Sequence, residues 1–184
     1  MKNSETITLL SGNERKAAEF ERLLGFKINH QNIDLPEIQS IDVKEVSLAK
    51  ISIAYATLKV PVFVDDTGLS INAWNGLPGA LIKWFLDAVG NDGLIRMLAN
   101  ETDRSAKVIT SIGYKDEEQE FVVTGELTGT IASEPRGDNG FGYDAIFIPE
   151  GYDRTFAEMS DAEKDSISMR AIAAEALRSK LAST

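Results

Sequence analysis

Two adjacent carboxylates, Asp65 and Asp66, follow a compact apolar stretch at residues 61–64 and precede Thr67. Ligands of open α/β sheets bind beyond the carboxyl ends of strands, and consecutive strand residues point to opposite faces. We therefore expect only one of the two acids to reach a given site, the alternative being that both are solvated turn residues. Glu37, an isolated acid among apolar neighbours, is a third candidate unless it is an ordinary surface glutamate. Such oxygen ligands suit Mg²⁺, which takes one or two protein carboxylates together with substrate phosphates.

A second candidate site lies where a short strand turns into a helix. Its residues are Ser11, Gly12, Asn13, Glu14, Arg15 and Lys16. Backbone N–H groups at a helix start, a glycine that permits close approach and a lysine one turn later can bind an anion. The spacing differs from that of a Walker A loop. The alternative is a capped surface helix without a ligand.

A glycine-rich segment begins near residue 135 and is the most unusual part of the chain. Gly140 and Gly142 surround Phe141, and Tyr143 and Asp144 follow directly. Closely spaced glycines let the backbone approach a ligand or adopt positive φ, so we interpret the segment as a binding loop. Phe141 and Tyr143 could offer a stacking face for a base, although we expect one of them to be packed in the core.

Several cationic side chains could neutralise a polyanion such as a triphosphate. They are Lys16, Lys50, Lys83, Lys164 and Arg170. Each lysine taken alone is more simply explained as a solvated surface residue, and we expect Lys16 and Lys164 to be solvated in the free protein.

The elements that must position these residues alternate between strands and helices. Apolar spacing predicts strands over residues 5–10, 26–34, 61–64, 107–114, 119–131 and 143–148. It predicts helices up to residue 24, over 43–59, 80–89 and 91–98, and from 160 to about 181. Capping-box spacing marks Ser11 with Glu14 and Ser160 with Glu163, Asp42 is a candidate N-cap, and Gly25 is a candidate helix stop. The order indicates one α/β domain with a mixed sheet and a groove between two lobes.

Composition narrows the classes of function. The chain has 184 residues, no cysteine and a formal net charge of −10, with a sequence pI of about 4.6. Thiolate chemistry and disulfides are excluded, and such acidity disfavours binding to a nucleic-acid backbone. The sequence shows neither a secretion signal nor an apolar span long enough for a bilayer, so we expect a cytoplasmic protein with no membrane or nucleic-acid partner.

Six motifs taken in order resemble the inosine triphosphate pyrophosphatase family, the Ham1-like non-canonical purine nucleoside triphosphate pyrophosphatases. The motifs are SGNERK, LPEIQ, VDDTGLSINAWNGLPGA, PRGDNGFGYDAIF, TFAEM and AEKDSIS-x-R. Together they cover nearly the whole length of the chain, residues 1–184, as a single pyrophosphatase domain. The resemblance implies an elongated mixed sheet with flanking helices around a central cleft, a homodimer, and Mg²⁺-dependent hydrolysis of ITP, dITP and XTP to the monophosphate and pyrophosphate.

The resemblance also assigns roles. Residues 11–16 would line the phosphates, Glu37 and Asp66 would hold the metal, and Asp66 would accept the proton of the attacking water. Thr67 would touch substrate, and Lys50 and Lys83 would face the phosphates. The residues that would frame the base are Phe141, Gly142, Tyr143 and Asp144. Lys164 and Arg170 would contact the nucleotide, and Met169 stands at the base-recognition end.

One position departs from the family pattern. The family usually has Ser-His-Arg where this chain has Ser168-Met169-Arg170. The missing histidine belongs to the base-recognition end, so the substitution concerns selectivity rather than chemistry. Two alternatives are a Maf-like pyrophosphatase with another nucleotide specificity and a nucleotide-binding sensor without turnover.

Overall fold

The computed structural model describes residues 6–33 and 35–183. Its strands are β1 (Thr8–Leu10), β2 (Asn29–Gln31), β3 (Val62–Ile71), β4 (Pro78–Gly79), β5 (Ser105–Lys115), β6 (Glu120–Ile131) and β7 (Phe147–Pro149). Its helices are α1 (Glu14–Leu24), α2 (Val43–Leu58), α3 (Ile82–Met97), α4 (Asp161–Asp165) and α5 (Met169–Ala182), with short 3-10 turns at Asn72–Trp74 and Phe156–Glu158. None of the helices in this described part is long and apolar enough to cross a membrane.

The strands form one mixed sheet in the order β2-β1-β3-β5-β6-β7, with β4 paired to β3 outside this path. β1 runs parallel to β2 and β3, whereas β3–β5, β5–β6 and β6–β7 are antiparallel. The predicted mixed α/β sheet with flanking helices is therefore confirmed.

Apolar side chains pack on both faces of the sheet. Phe63 of β3 faces α1, where its ring meets that of Phe20 edge-on at 5.2 Å between centroids. The neighbouring Val62 and Val64 point the other way and pack against Ile51 of α2. A third apolar cluster contains the far end of β3 together with parts of α3, β5 and β7. We call the part that contains the first two clusters one lobe and the part that contains the third cluster the other. The middle of β3 connects these two lobes.

Close approach fixes the position of α5 on the sheet. Gly125 of β6 lies under the start of this helix, and a Cβ placed on it would lie 2.0 Å from the carbonyl oxygen of Met169. No side chain fits in that space, because contacts below 3 Å require the backbone to move. The first turn of α5 therefore rests directly on the β6 backbone.

Several predicted boundaries differ from those observed. β3 continues through residues 65–71 because it forms a ten-residue ladder with β5, so the two acids lie within a strand and not after one. Residues 143–146 form a turn before β7, and the C-terminal segment contains two helices separated at residues 166–168. β2 is shorter than predicted, and the predicted strand residues 5 and 34 lie outside the described part.

Most predicted helix signals are confirmed. Asp42 caps α2, Gly25 ends α1 with φ of 75°, and Ser160 and Glu163 form a capping box at α4. The two helices predicted over residues 80–98 are separated at Gly90, whose φ of 65° and ψ of −177° interrupt α3.

Candidate active site

A cleft of roughly 1490 Å³ lies between the lobes, and every residue that the sequence assigned to the site lines it. Asp66 lies on β3, Lys50 lies on α2, and Glu37 lies in the loop before α2. The start of α1 and the glycine-rich loop form other parts of the wall, together with α4 and the start of α5. The patterns therefore predicted one continuous surface, although they gave no information on how its charges are paired.

One part of the cleft is built from Asp66, Glu37 and Lys50. The Lys50 ammonium lies 2.6 Å from Asp66 Oδ1 and 2.5 Å from Glu37 Oε1, so two carboxylates from separate segments converge on one cation. Asp66 and Lys50 are largely buried, with side chains 12 % and 13 % exposed, whereas half of the Glu37 side chain is exposed. The expectation of a solvated Lys50 is wrong, because the two acids compensate its charge.

The second oxygen of Asp66, Oδ2, is buried and accepts no hydrogen bond from any of the described residues. Burial raises the pKa of Asp66 above its ordinary value, although the positive charges of Lys50 and Lys16 oppose this effect. A carboxylate with an unused oxygen and increased proton affinity can bind a cation or accept a proton from water.

The neighbouring Asp65 points away from Asp66, as strand alternation predicts, and has different partners. Its Oδ2 lies 2.7 Å from Lys16 Nζ and 3.4 Å from Arg170 Nη2. Burial alone would raise the pKa of Asp65, but the charges of Lys16 and Arg170 lower it below the ordinary value. Asp65 therefore stays ionised and holds two cations at the cleft.

Arg170 is almost fully buried, and three side chains fix its guanidinium. Besides Asp65, Glu19 Oε2 accepts from Nη1 at 2.8 Å and Thr67 Oγ1 accepts from Nη2 at 3.1 Å. Sequence reasoning missed Glu19. The only available signal was an acid beside Phe20 on the apolar face of α1, where the side chain of Glu19 is 5 % exposed.

The start of α1 is capped differently from the prediction. Asn13 is the N-cap, and its Oδ1 accepts from the backbone N–H groups of Arg15 and Lys16 at 3.0 and 3.4 Å. Ser11 Oγ instead accepts from the Asn13 backbone N–H at 3.2 Å. The predicted capping box of Ser11 and Glu14 is therefore wrong, because the amide of Asn13 lies closer to the first free N–H groups.

The glycine-rich loop is held to α1 and to itself. Arg15 Nη1 donates to the Gly140 carbonyl at 2.9 Å, and the Phe141 backbone N–H donates to Asp144 Oδ2 at 2.8 Å. Gly140 has φ of 76°, and a Cβ there would lie 2.2 Å from Asp144 Oδ2. Asn91, just after the interruption in α3, donates to the Gly142 carbonyl at 3.0 Å. The loop is thus anchored from two sides of the cleft.

Lys164 of α4 is buried and not solvated. Its side chain is 8 % exposed, and Nζ lies 2.7 Å from Asp144 Oδ2. Lys164 and Arg170 also lie near the ring of Phe141, at 5.2 and 5.5 Å from its centroid. The expectation of a solvated Lys164 is wrong because Asp144 supplies the opposite charge within the protein. Lys16, 17 % exposed, is likewise paired rather than solvated.

The remaining predicted residues differ in exposure. Tyr143 is buried in the core with its hydroxyl 3.5 Å from the Gly68 carbonyl oxygen, whereas the ring of Phe141 is only partly buried. Met169, at the start of α5, is 2 % exposed and packs in the same cluster as Tyr143. Lys83 is exposed at the cleft edge beside Trp84. As expected, one of the two aromatic side chains belongs to the core.

Comparison with known proteins gives concordant matches. A model described as the Ham1 family matches residues 7–180. The inosine triphosphate pyrophosphatase of Schizosaccharomyces pombe is 43 % identical over 183 residues, which cover 97 % of this chain and 96 % of that protein. The dITP/XTP pyrophosphatase of Methanopyrus kandleri is 40 % identical, with 92 % of each chain covered. The structure of a Ham1 protein from Coxiella burnetii superimposes with a TM-score of 0.86 at 33 % identity, covering 97 % of this chain and 99 % of the other.

Proposed function

Because this chain belongs to the Ham1 family, we propose that it hydrolyses ITP, dITP and XTP to the monophosphate and pyrophosphate. The observation that carries this proposal is the convergence of Glu37 and Asp66 on one cationic position in the wall of a large cleft. The named activities of the yeast and archaeal relatives support the same reaction. An enzyme of this kind would remove deaminated purines from the nucleotide pool.

We further propose that Glu37 and Asp66 hold Mg²⁺. Two observations support the fit, namely the shared position of their oxygens around Lys50 Nζ and the unpaired buried Oδ2 of Asp66. Across residues 6–33 and 35–183, no three acidic, histidine or cysteine side chains cluster as a metal site. Two protein carboxylates agree with the habit of Mg²⁺ to take its other ligands from water and phosphates. When bound, the ion would neutralise phosphoryl charge and help to ionise the attacking water.

The residues of the chain would then divide the work of hydrolysis. Asp66 accepts the proton of the attacking water while the water oxygen bonds to the α-phosphorus. The bond from that phosphorus to the bridging oxygen breaks, and pyrophosphate leaves with the bond electrons. Lys16 and Lys50 would stabilise the charge on the phosphates, with Lys83 at the edge. This route needs no covalent nucleophile, in agreement with the absence of cysteine.

The glycine-rich loop and Arg170 would form the base end of the cleft. The exposed part of the Phe141 ring offers a stacking surface, and its loop is held in place by Arg15, Asp144 and Lys164. Arg170 would donate to a 6-oxo group, whereas a donor facing the 6-amino group of ATP is a mismatch.

Other sequence-based expectations remain proposals. They are a single pyrophosphatase domain, assembly as a homodimer, a cytoplasmic location, and the lack of nucleic-acid or membrane partners. The roles of individual site residues are proposals as well.

The decisive experiment measures pyrophosphate release from ITP, XTP, dITP, ATP, GTP and CTP with Mg²⁺. We expect turnover of the 6-oxo purines to dominate, and Asp66→Asn to lower kcat by about 100-fold or more, as loss of a general base does. Asp92→Asn, an exposed change on α3, serves as the matched control and should leave kcat unchanged.

The alternatives give different results in the same experiment. Preference for pyrimidine or canonical nucleotides would indicate a Maf-like activity. Nucleotide binding with Mg²⁺ but without pyrophosphate release would indicate a sensor. Either result, or an Asp66→Asn variant with most of its activity, would refute the proposed function or the role of Asp66.

A further inference from the structure

Lys50 occupies the position at which the two proposed metal ligands meet. Its Nζ contacts both Asp66 Oδ1 and Glu37 Oε1 within 2.6 Å, and its side chain is 13 % exposed. The inner face of α2 thus places an ammonium group between two carboxylates that would otherwise repel each other across the cleft wall. We call this point the cation position.

The cation position cannot serve two cations at once. A Mg²⁺ ion needs its oxygen ligands at about 2.0–2.1 Å, while Lys50 already uses one oxygen from each carboxylate. A second positive charge beside the largely buried ammonium would also be repelled by it. In this position Lys50 therefore competes with a divalent cation for one oxygen of each carboxylate, while Asp66 Oδ2 stays unpaired.

A displaced Lys50 needs a new anionic partner, and two of the nearby acids already have cationic partners of their own. The nearby Asp65 is already paired with Lys16 and Arg170. Asp144 is already paired with Lys164. A triphosphate in the cleft would offer several anionic oxygens within the reach of a long, flexible lysine.

From this arrangement we propose that Lys50 is an internal counter-ion that couples metal binding to triphosphate binding. It occupies the cation position in the nucleotide-free enzyme and moves to the phosphates when metal and nucleotide bind together. The inference rests on the proposed function, since it takes Glu37 and Asp66 as the metal ligands. Lys50 is thus a positioning residue as well as a phosphate contact.

The coupling has a measurable size. When a site is open in only a fraction of molecules, apparent affinity falls by that fraction. If Lys50 closes the cation position in about nine-tenths of nucleotide-free molecules or more, its removal should tighten metal binding about 10-fold or more. The same removal should reduce the nucleotide-induced increase in metal affinity by the same factor, leaving the part that direct phosphate ligands contribute.

The test is titration of Mn²⁺ into the full-length protein, followed by electron paramagnetic resonance of the free ion. Wild type, Lys50→Met and Lys44→Met are compared without nucleotide and with the non-hydrolysable inosine 5′-(α,β-imido)triphosphate. Lys44 is an exposed lysine on the same helix, so its variant controls for the loss of one positive charge. Lys50→Gln, which keeps a polar group for the two oxygens, is measured alongside in case the methionine variant does not fold.

We expect both Lys50 variants to bind Mn²⁺ about 10-fold more tightly than wild type without nucleotide, with Lys44→Met close to wild type. Unchanged or weaker Mn²⁺ affinity in the Lys50 variants would overturn the coupling. An Asp66→Asn variant distinguishes failure of the coupling from failure of the proposed function. If wild type with the analogue binds no more Mn²⁺ than Asp66→Asn does, the metal site itself is refuted, and the coupling with it.

Discussion

The buried pair of Lys164 and Asp144 leads to a quantitative prediction for Lys164→Met. The two side chains are 8 % and 4 % exposed and lie 2.7 Å apart, so the methionine would leave the Asp144 charge without its cation. Removal of one partner from a buried ion pair costs about 3–5 kcal/mol. The Phe141 backbone N–H still donates to Asp144 Oδ2, so we expect the lower end, a loss of about 3 kcal/mol in the free energy of unfolding.

The assay is urea denaturation followed by far-UV circular dichroism, together with a thermal scan. For a chain of this length, 1 kcal/mol corresponds to roughly 2–4 °C in Tm, so we expect Tm to fall by roughly 6–12 °C. The hydrolysis rate should fall as well, because the same pair holds the loop that carries Phe141.

The matched control is Lys83→Met, which removes an exposed lysine from the edge of the same cleft and should change stability by less than about 0.5 kcal/mol. The double variant Lys164→Met with Asp144→Asn should recover part of the loss, since it removes both charges. A Lys164→Met variant as stable as wild type would refute the reasoning, because the ion pair would then contribute nothing to the loop.

Three further predictions concern the walls of the cleft. Asp65→Asn should cost about 3 kcal/mol at neutral pH, because it leaves buried cations unpaired. The pKa of Asp65 is lowered in the folded state, so wild type should begin to lose this advantage below the ordinary value of 3.8 and lose it fully only below the folded pKa; a difference in unfolding free energy that shows no decline on acidification would contradict the assignment. In urea denaturation, Gly140→Ala should destabilise the protein more than Gly25→Ala, because both glycines have positive φ but only a Cβ at residue 140 would meet Asp144. Positive φ alone should cost each variant about 1–2 kcal/mol, so equal losses would rule out the contact. Met169→His should increase the preference for ITP over ATP, measured as the ratio of their kcat/KM values, about five-fold, because one hydrogen bond contributes about 1 kcal/mol. An unchanged ratio would show that residue 169 does not set selectivity.

Local signals in the sequence were sufficient to predict helix ends where the capping contacts join residues close in the chain. Asp42, Gly25 and the pair Ser160–Glu163 act within one helical turn, and all four perform the predicted capping roles. Even at a helix end, two neighbouring residues can both be candidates for the N-cap. Ser11 and Asn13 both precede α1, and only the three-dimensional turn decides which side chain reaches the free N–H groups.

The pairing and burial of the charged side chains in the cleft could not be predicted in the same way. Lys164 resembles any solvated helical lysine in sequence, and its burial depends on Asp144, which lies 20 residues earlier. Glu19 and Arg170 are 151 residues apart, so neither gives a local signal of the other. Motif order identified which residues share the cleft, whereas the pairing of their charges depends on the packing of α1, α4 and α5 around β3.

The contact of Gly125 with the first turn of α5 has a consequence for how this protein can change by mutation. Arg170 follows directly after Met169, whose carbonyl oxygen leaves no space for a Cβ on Gly125. Any side chain at residue 125 would push the helix away from the sheet and move the guanidinium away from Glu19, Asp65 and Thr67. The location of a cationic group in the cleft is thus set by a missing side chain 45 residues earlier, on a strand that contributes no residue to the cleft wall. Directed evolution of the cleft around Arg170 should therefore keep Gly125 unchanged, even though this residue does not line the cleft.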